Sequence, residues 1–369
     1  MIKGVVRLDL GGNMKLKRLA ALVLAGAMCL TTFVGCGVKP DETAATLGDQ
    51  KVSAGLVNFY CKYEKASWDD AYSAYFGADF WEKDIFGYGM PMEEYLKQNA
   101  MNFMHELYVA KAHMAEKKVE LTADETAAIK KAAQAFIAAN SAEALEEMGA
   151  TEEIVIEMLT LRTIQQKVYD AIVVDADRNV TEEEANMRGI TLVEINIEGK
   201  YNDKGTYVKY TDAEVKSIKL KANKILTESA GVGLEKAAKN NGYTAQDTAY
   251  NKNDTTMDKT LLEALNALKV GETSKVIETS KVLYIATIDE DVDKKATEEN
   301  KESIIADREF KLYEKVMKEW MKDDGWKVNE SVVDKIDFHH TLTQKDPSKP
   351  STEKDTQKTE STEKGTENK

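Results

Sequence analysis

Met257-Asp258-Lys259-Thr260-Leu261-Leu262-Glu263-Ala264 runs on without a gap through Leu268-Lys269-Val270-Gly271-Glu272-Thr273-Ser274. This stretch decides how the middle of the chain is read. It predicts a short helix over 258–268, a Lys-Val-Gly-Glu turn at 269–272, and then two strands, 275–279 and 282–288. Upstream lie a polar loop from Gly242 to Thr256 and two helices, about 212–229 and 233–241. Thr211-Asp-Ala-Glu214 opens the first as a capping box, in which hydroxyl and carboxylate satisfy free amide groups. Farther back, Ile190, Leu192, Ile195 and Ile197 form a strand-like run that ends at Gly199. Strand, helices, helix, strand, strand is the order of an α+β unit.

The flanks read differently. Ala45 to Ser53 predicts a small hairpin with a Gly48-Asp49 turn, running into a helix capped by Ser53. Leu56, Phe59, Tyr60 and Tyr63 recur at helical spacing, whereas Trp68 to Pro91 is dense in aromatics and glycine and reads as a loop or broken helix. A long amphipathic helix over 93–117 follows, with Leu96, Ala100, Phe103, Met104, Leu107, Lys111 and Met114 on one face. His105 and His113 fall on other faces and are expected to be exposed. Capping boxes at Thr122-Ala-Asp-Glu125 and Thr181-Glu-Glu-Glu184 open two further helices, and 152–174 is another long one. A last helix, about 297–322, precedes a short strand near 326–328. From Thr341 the chain is Thr, Lys, Glu, Ser and Pro without apolar periodicity, a composition that cannot offset ordering entropy.

The 369 residues carry a net charge of -14, which argues against nucleic-acid partners. The four histidines are His105, His113, His339 and His340, so none lies between 114 and 338. Of the three cysteines, Cys29 and Cys36 fall in the N-terminal leader and Cys61 in an apolar helix, which rules out a disulfide framework within the folded part. Cys61 reads as a small core residue. No Cys/His cluster has metal-ligand spacing, and neither metal nor cofactor is expected.

Met14 to Cys36 has a basic start (Lys15, Lys17, Arg18), an apolar run through Leu19, Leu22, Val23, Leu24, Ala27 and Leu30, and the ending Phe33-Val34-Gly35-Cys36. That is an export signal. Gly35-Cys36 resembles the lipobox of bacterial lipoproteins, with Phe33 where leucine is usual. The resemblance implies cleavage before Cys36, acylation of its sulfur and anchoring on the outer face of the cytoplasmic membrane. Gly11-Gly12 ahead of Met14 suggests that Met14 is the true start.

With these pieces in place, the chain from about Ala45 to Phe338 resembles the PrsA-type foldase lipoproteins, relatives of SurA. The resemblance rests on the quoted 257–274 stretch, on Leu234-Glu235-Lys236-Ala237-Ala238-Lys239, and on the architecture. It implies an α+β fold: a helical chaperone lobe, completed by a returning C-terminal helix, with an inserted parvulin-like (peptidyl-prolyl isomerase) domain. The expected divisions are signal 1–35, lipidated tether 36–44, helical lobe 45–187, parvulin-like domain 188–292, returning helix and strand 293–340, and disordered tail 341–369. Parvulin sites carry a histidine on the first strand, where this chain has Ile190, and another on the last, where Tyr284 is the nearest equivalent. The family's Gly-Gly-Asp-Leu-Gly segment is replaced by a shorter loop around 251–255. Ile190, Leu192, Met257, Leu261 and Tyr284 are the expected substrate-binding residues, with Tyr284 the one catalytic candidate. The resemblance implies a chaperone for unfolded secreted polypeptides with weak or lost isomerase activity. The aromatic segment from Trp68 to Tyr88, with Met101 and Met104, offers adaptable apolar recognition. An isomerase with an atypical site and a surface scaffold are the competing readings, and pairing into a homodimer is left open.

Overall fold

The computed structural model describes residues 28–29, 38–77, 79–339 and 343–344. Cys36, His340, nearly all of the leader and nearly all of the C-terminal tail lie outside the described residues. The chain divides into two units, one built from residues up to Val174 and from Tyr313 onward, the other from Asp175 to Leu312.

In the first unit a two-residue strand, Met28–Cys29, pairs antiparallel with Thr343–Gln344, and an antiparallel hairpin follows of β1 (Thr43–Leu47) and β2 (Gln50–Ser53). Gly48 at its turn takes φ +56, a left-handed conformation that glycine adopts without steric cost. Ser53 Oγ then accepts the Leu56 amide at 3.2 Å and starts α1 (Ala54–Trp68). Helices α2 (Met92–His113), α3 (Ala123–Ala139), α4 (Ala142–Met148) and α5 (Glu152–Val173) follow. Leu56, Met104, Leu107, Ile129 and Leu161 are wholly buried, each stabilising the fold by about 1.5–3 kcal/mol. Cys61 is in this core, and burial pushes its thiol up to about 12, so it is inert.

Three expectations are corrected here. Met101 and Met104 are 5% and 0% exposed, so they pack the core and recognise nothing. His105 and His113 are not free on the surface: each lies flat on a tryptophan, His105 on Trp326 at 4.5 Å and His113 on Trp320 at 4.1 Å. His105 Nε2 also meets Asp324 at 2.6 Å and His113 Nδ1 meets Glu116 at 2.8 Å. The helix expected to run to 117 ends at His113, and α4 is an additional element that the apolar spacing did not announce.

In the second unit the Thr181 capping box is complete but opens a single turn, α6 (Glu182–Ala185). Strand β3 (Arg188–Asn196) precedes a two-stranded ribbon of β4 (Gly199–Tyr201) and β5 (Tyr207–Lys209). Helices α7 (Asp212–Val232) and α8 (Leu234–Asn240), strand β6 (Ala245–Tyr250), helix α9 (Lys259–Asn266), and strands β7 (Ile277–Glu278) and β8 (Val282–Glu290) complete it. The sheet is antiparallel in the order β6-β3-β8-β7. The ribbon was not expected. Strand β6 lies inside what reads as the polar loop 242–256; it is an edge strand held by backbone pairing to β3, with Tyr250 its one buried residue.

Side chains alternate across this sheet. Val193, Ile195, Leu283 and Ile285 pack on α7 and α8 through Ala222, Ile225, Leu234 and Ala237. Ile190, Leu192, Ala286 and Ile288 face the other way, onto Leu261 and Leu265 of α9. Helix α10 (Lys294–Trp320) is divided between the units at Leu312/Tyr313. Beyond it β9 (Lys327–Val328) pairs with β1, and one turn, α11 (Glu330–Val333), closes the chain's return to the first unit. The architecture is the expected α+β one: a mainly helical unit and a sheet-bearing unit set within it along the sequence.

Candidate functional site

The sequence-predicted residues gather on the α9 side of the sheet. Asp258 caps α9, accepting the amides of Thr260 at 2.8 Å and Leu261 at 3.3 Å. Gly271 takes φ +81 in the turn, which lets its amide reach Ile288 O at 2.7 Å. Ser274 then donates its amide to Ala286 O at 2.8 Å and accepts the Ala286 amide on Oγ at 3.0 Å. The Gly-Glu-x-Ser pattern thus stitches the helix exit to the central strand.

What the five residues do there differs from the expectation. Ile190, Leu192 and Leu261 are 2%, 9% and 5% exposed and fill the core under α9. Met257 and Tyr284 are half-buried at the edge of the same cluster. Ile190 pairs with Ile288, and Tyr284 with Glu194, four residues along β3; that offset is about 13 Å at strand rise. Ile190 and Tyr284, the two positions expected from the resemblance to replace site histidines, are therefore not neighbours. Burial, then Glu194 and Asp258, hold the Tyr284 phenol above its usual value, so it remains a neutral donor and not a base.

Arg188 is the residue that sequence reasoning missed. It is 3% exposed and donates to Tyr250 Oη at 3.0 Å and to the carbonyls of Leu265 at 3.1 Å and Leu268 at 3.0 Å, closing the end of α9. Among the described residues no group of three His, Cys, Asp or Glu is placed to hold a metal.

A second locus lies in the first unit, between α1 and α2. The chain there makes a π-helical turn (Asp69–Ser73), a short helix (Ala74–Phe76) and a 3-10 turn (Phe80–Glu82). Its rings touch one another: Tyr72 and Phe80 at 5.9 Å, Phe76 and Phe80 at 5.9 Å, Phe86 with Tyr72 at 5.7 Å and with Phe76 at 5.8 Å. Tyr88 stacks on Tyr95 at 4.1 Å and meets Phe86 at 6.0 Å. Phe80 and Trp81 are the buried floor, while Tyr72, Phe76, Phe86 and Tyr88 are 37–45% exposed and Tyr75 is 84% exposed.

A buried ion pair fixes this aromatic platform from below. Lys65 Nζ is 2.5 Å from Asp69 Oδ2, and Asp69 Oδ1 accepts Trp81 Nε1 at 2.7 Å. Burial lowers the Lys65 pKa and Asp69 opposes the shift. Asp84 folds the outer loop by accepting the amides of Tyr88 at 2.7 Å and Gly89 at 2.8 Å. π-Helical insertions often mark functional sites; here one turns Tyr72 onto the platform. The aromatic density was legible in the sequence, but its exposure was not.

No family model matches the chain, and no curated protein matches it by sequence. Among solved structures it is similar to the foldase protein PrsA from Lactococcus lactis, at 14% identity over 79% of this chain and 96% of that one, with TM-score 0.32. It is also similar to the peptidylprolyl isomerase PrsA from Bacillus cereus, at 15% identity over 69% and 96%, with TM-score 0.29. A SurA-like chaperone of Campylobacter jejuni, from the pair PEB4 and Cj1289, shows 12% identity over 63% and 88%, with TM-score 0.24.

Proposed function

We propose that the chain is an exported, lipid-anchored chaperone that holds unfolded polypeptide on the aromatic platform, and that its α+β unit has the frame of a parvulin without the catalysis. The observation that carries the reading is the platform itself. Contiguous exposed aromatic surface is unfavourable in water and marks interaction sites in soluble proteins. Aromatic rings bind varied apolar side chains at little entropic cost. The test is suppression of aggregation of a chemically unfolded client. The protein is expected to suppress it at a few-fold excess, and Phe76→Ser combined with Phe86→Ser is expected to abolish the effect while leaving helical circular dichroism intact. Unaltered aggregation with the unsubstituted protein sinks the proposal.

Prolyl isomerisation has a barrier of ~20 kcal/mol set by amide resonance. An enzyme lowers it with a dry pocket and donors matched to the twisted bond. The α+β unit contains no histidine, and three of its five candidate side chains are consumed in packing. Exchange rates of an Xaa-Pro peptide measured by NMR are expected to stay at the uncatalysed level. The competing reading, an isomerase built on Tyr284, requires catalysis that falls with Tyr284→Phe and Met257→Ala.

A further inference from the structure

We infer that the platform selects polypeptide segments that carry lysine or arginine beside their apolar side chains, and rejects acidic ones; this rests on the chaperone reading above. From Asp69 to Tyr95 the chain has seven carboxylates and a single lysine. Asp69 is spent on Lys65 and Trp81, and Asp79 pairs with that lysine, Lys83. In the same stretch Glu82, Asp84, Glu93 and Glu94 have no lysine or arginine partner among the described residues. Among the described residues Glu94 meets the neutral Gln98, at 3.4 Å, and Glu82, 64% exposed, has His339 at 3.8 Å as its ionic neighbour. Asp84 is held by the backbone amides of Tyr88 and Gly89, which orient its carboxylate.

Rings and carboxylates favour the same visitor. The negative face of an aromatic ring attracts ammonium and guanidinium groups. A lysine or arginine stem can lie along the rings while its charged head reaches a rim carboxylate. The fold already uses such contacts nearby, with Lys65 Nζ 5.3 Å from the Trp81 ring centre and Lys97 Nζ 5.5 Å from that of Phe338. The net charge of -14 adds long-range attraction for basic segments and repulsion for acidic ones. Two copies would present rims of the same sign, which disfavours platform-to-platform pairing and leaves the rings free for a client.

The experiment is fluorescence anisotropy on the full mature chain with three labelled peptides. They share their aromatic and aliphatic residues and differ only in whether the intervening positions are lysine, serine or glutamate. The lysine peptide is expected to bind about tenfold tighter than the serine peptide, with the glutamate peptide weaker still. High salt is expected to erase the difference, because the Debye length falls to about 3 Å at 1 M. Glu82→Gln, Glu93→Gln and Glu94→Gln together are expected to remove the lysine advantage while preserving serine-peptide affinity. Equal affinity for all three peptides, lost on Phe76→Ser with Phe86→Ser, overturns the selectivity and leaves the chaperone reading standing. No binding of any peptide removes both. A concentration-dependent dimer that dissociates on the same double substitution would show that a second copy covers the rings, and would also overturn the inference.

Discussion

Arg188 shows how one buried side chain can hold an element. Its guanidinium satisfies two carbonyls at the end of α9 and the Tyr250 hydroxyl, and Asp291 lies 2.8 Å away at the surface. Replacing it with methionine removes three hydrogen bonds, although Leu265 O keeps the Leu268 amide and Tyr250 Oη still donates to Asn266 Oδ1. Arg188→Met is expected to cost about 1–3 kcal/mol in urea unfolding of the whole chain. Arg188→Lys is expected to cost less, since one ammonium replaces only part of the planar fork.

Carboxylates in this protein respond to pH in opposite directions. Burial, helped by Glu314, holds the Glu106 carboxyl above its usual range. The folded state therefore binds that proton more tightly than the unfolded state, and the site's contribution is present in acid and lost as pH rises through the folded value. Glu106→Gln is expected to raise stability at neutral pH and to flatten the gain on acidification. For Glu125 burial acts upward, but Lys167 at 2.8 Å and the Thr122 amide outweigh it and hold the carboxyl low. Its contribution is present above the usual carboxylate range and lost as pH falls through the lower folded value. Glu125→Gln should destabilise at neutral pH, with the gap closing in strong acid. Denaturant midpoints across pH check both signs.

At the scale of elements, capping chemistry was the most readable signal. Thr122, Thr181 and Thr211 all form complete boxes with the glutamate three residues on. Thr211→Ala leaves the Glu214 amide without its hydroxyl acceptor, and is expected to cost about 1 kcal/mol, read as a lower urea midpoint. The box says where a helix starts and nothing about its length: the same pattern opens one turn at Thr181 and 21 residues after Thr211. Strand β6 escaped because Gln246, Asp247 and Thr248 are exposed and polar, so no apolar alternation marks them. Its conformation comes from hydrogen bonds to β3, a partner more than fifty residues away. The ribbon of β4 and β5 escaped for a related reason, since its strands are exposed almost throughout.

At the scale of the whole molecule, location and activity separate. No described helix is long and apolar enough to cross a membrane, and the proposed acylation of Cys36 has its own test. Cys36→Ala, or globomycin treatment of cells, is expected to move the protein from the membrane fraction or to arrest its processing. Retention unchanged under both conditions would rule lipidation out.

The sequence by itself determined the capped helical starts at Ser53, Thr122, Thr181 and Thr211, the α+β order of the middle, the absence of histidine from 114 to 338 and the aromatic density after Trp68. These follow from local spacing and residue identity, which a chain carries before it folds. Only the tertiary structure decided that Ile190 and Leu261 are core, that His105 and His113 lie on tryptophans, and that Tyr72, Phe76, Phe86 and Tyr88 remain open. Burial depends on which distant segment returns to cover a side chain. In the first unit the returning chain supplies Trp320 and Trp326 to the two histidines, and Phe338 to Trp81 beneath the platform. Tyr72, Phe76, Phe86 and Tyr88 nevertheless stay 37–45% exposed.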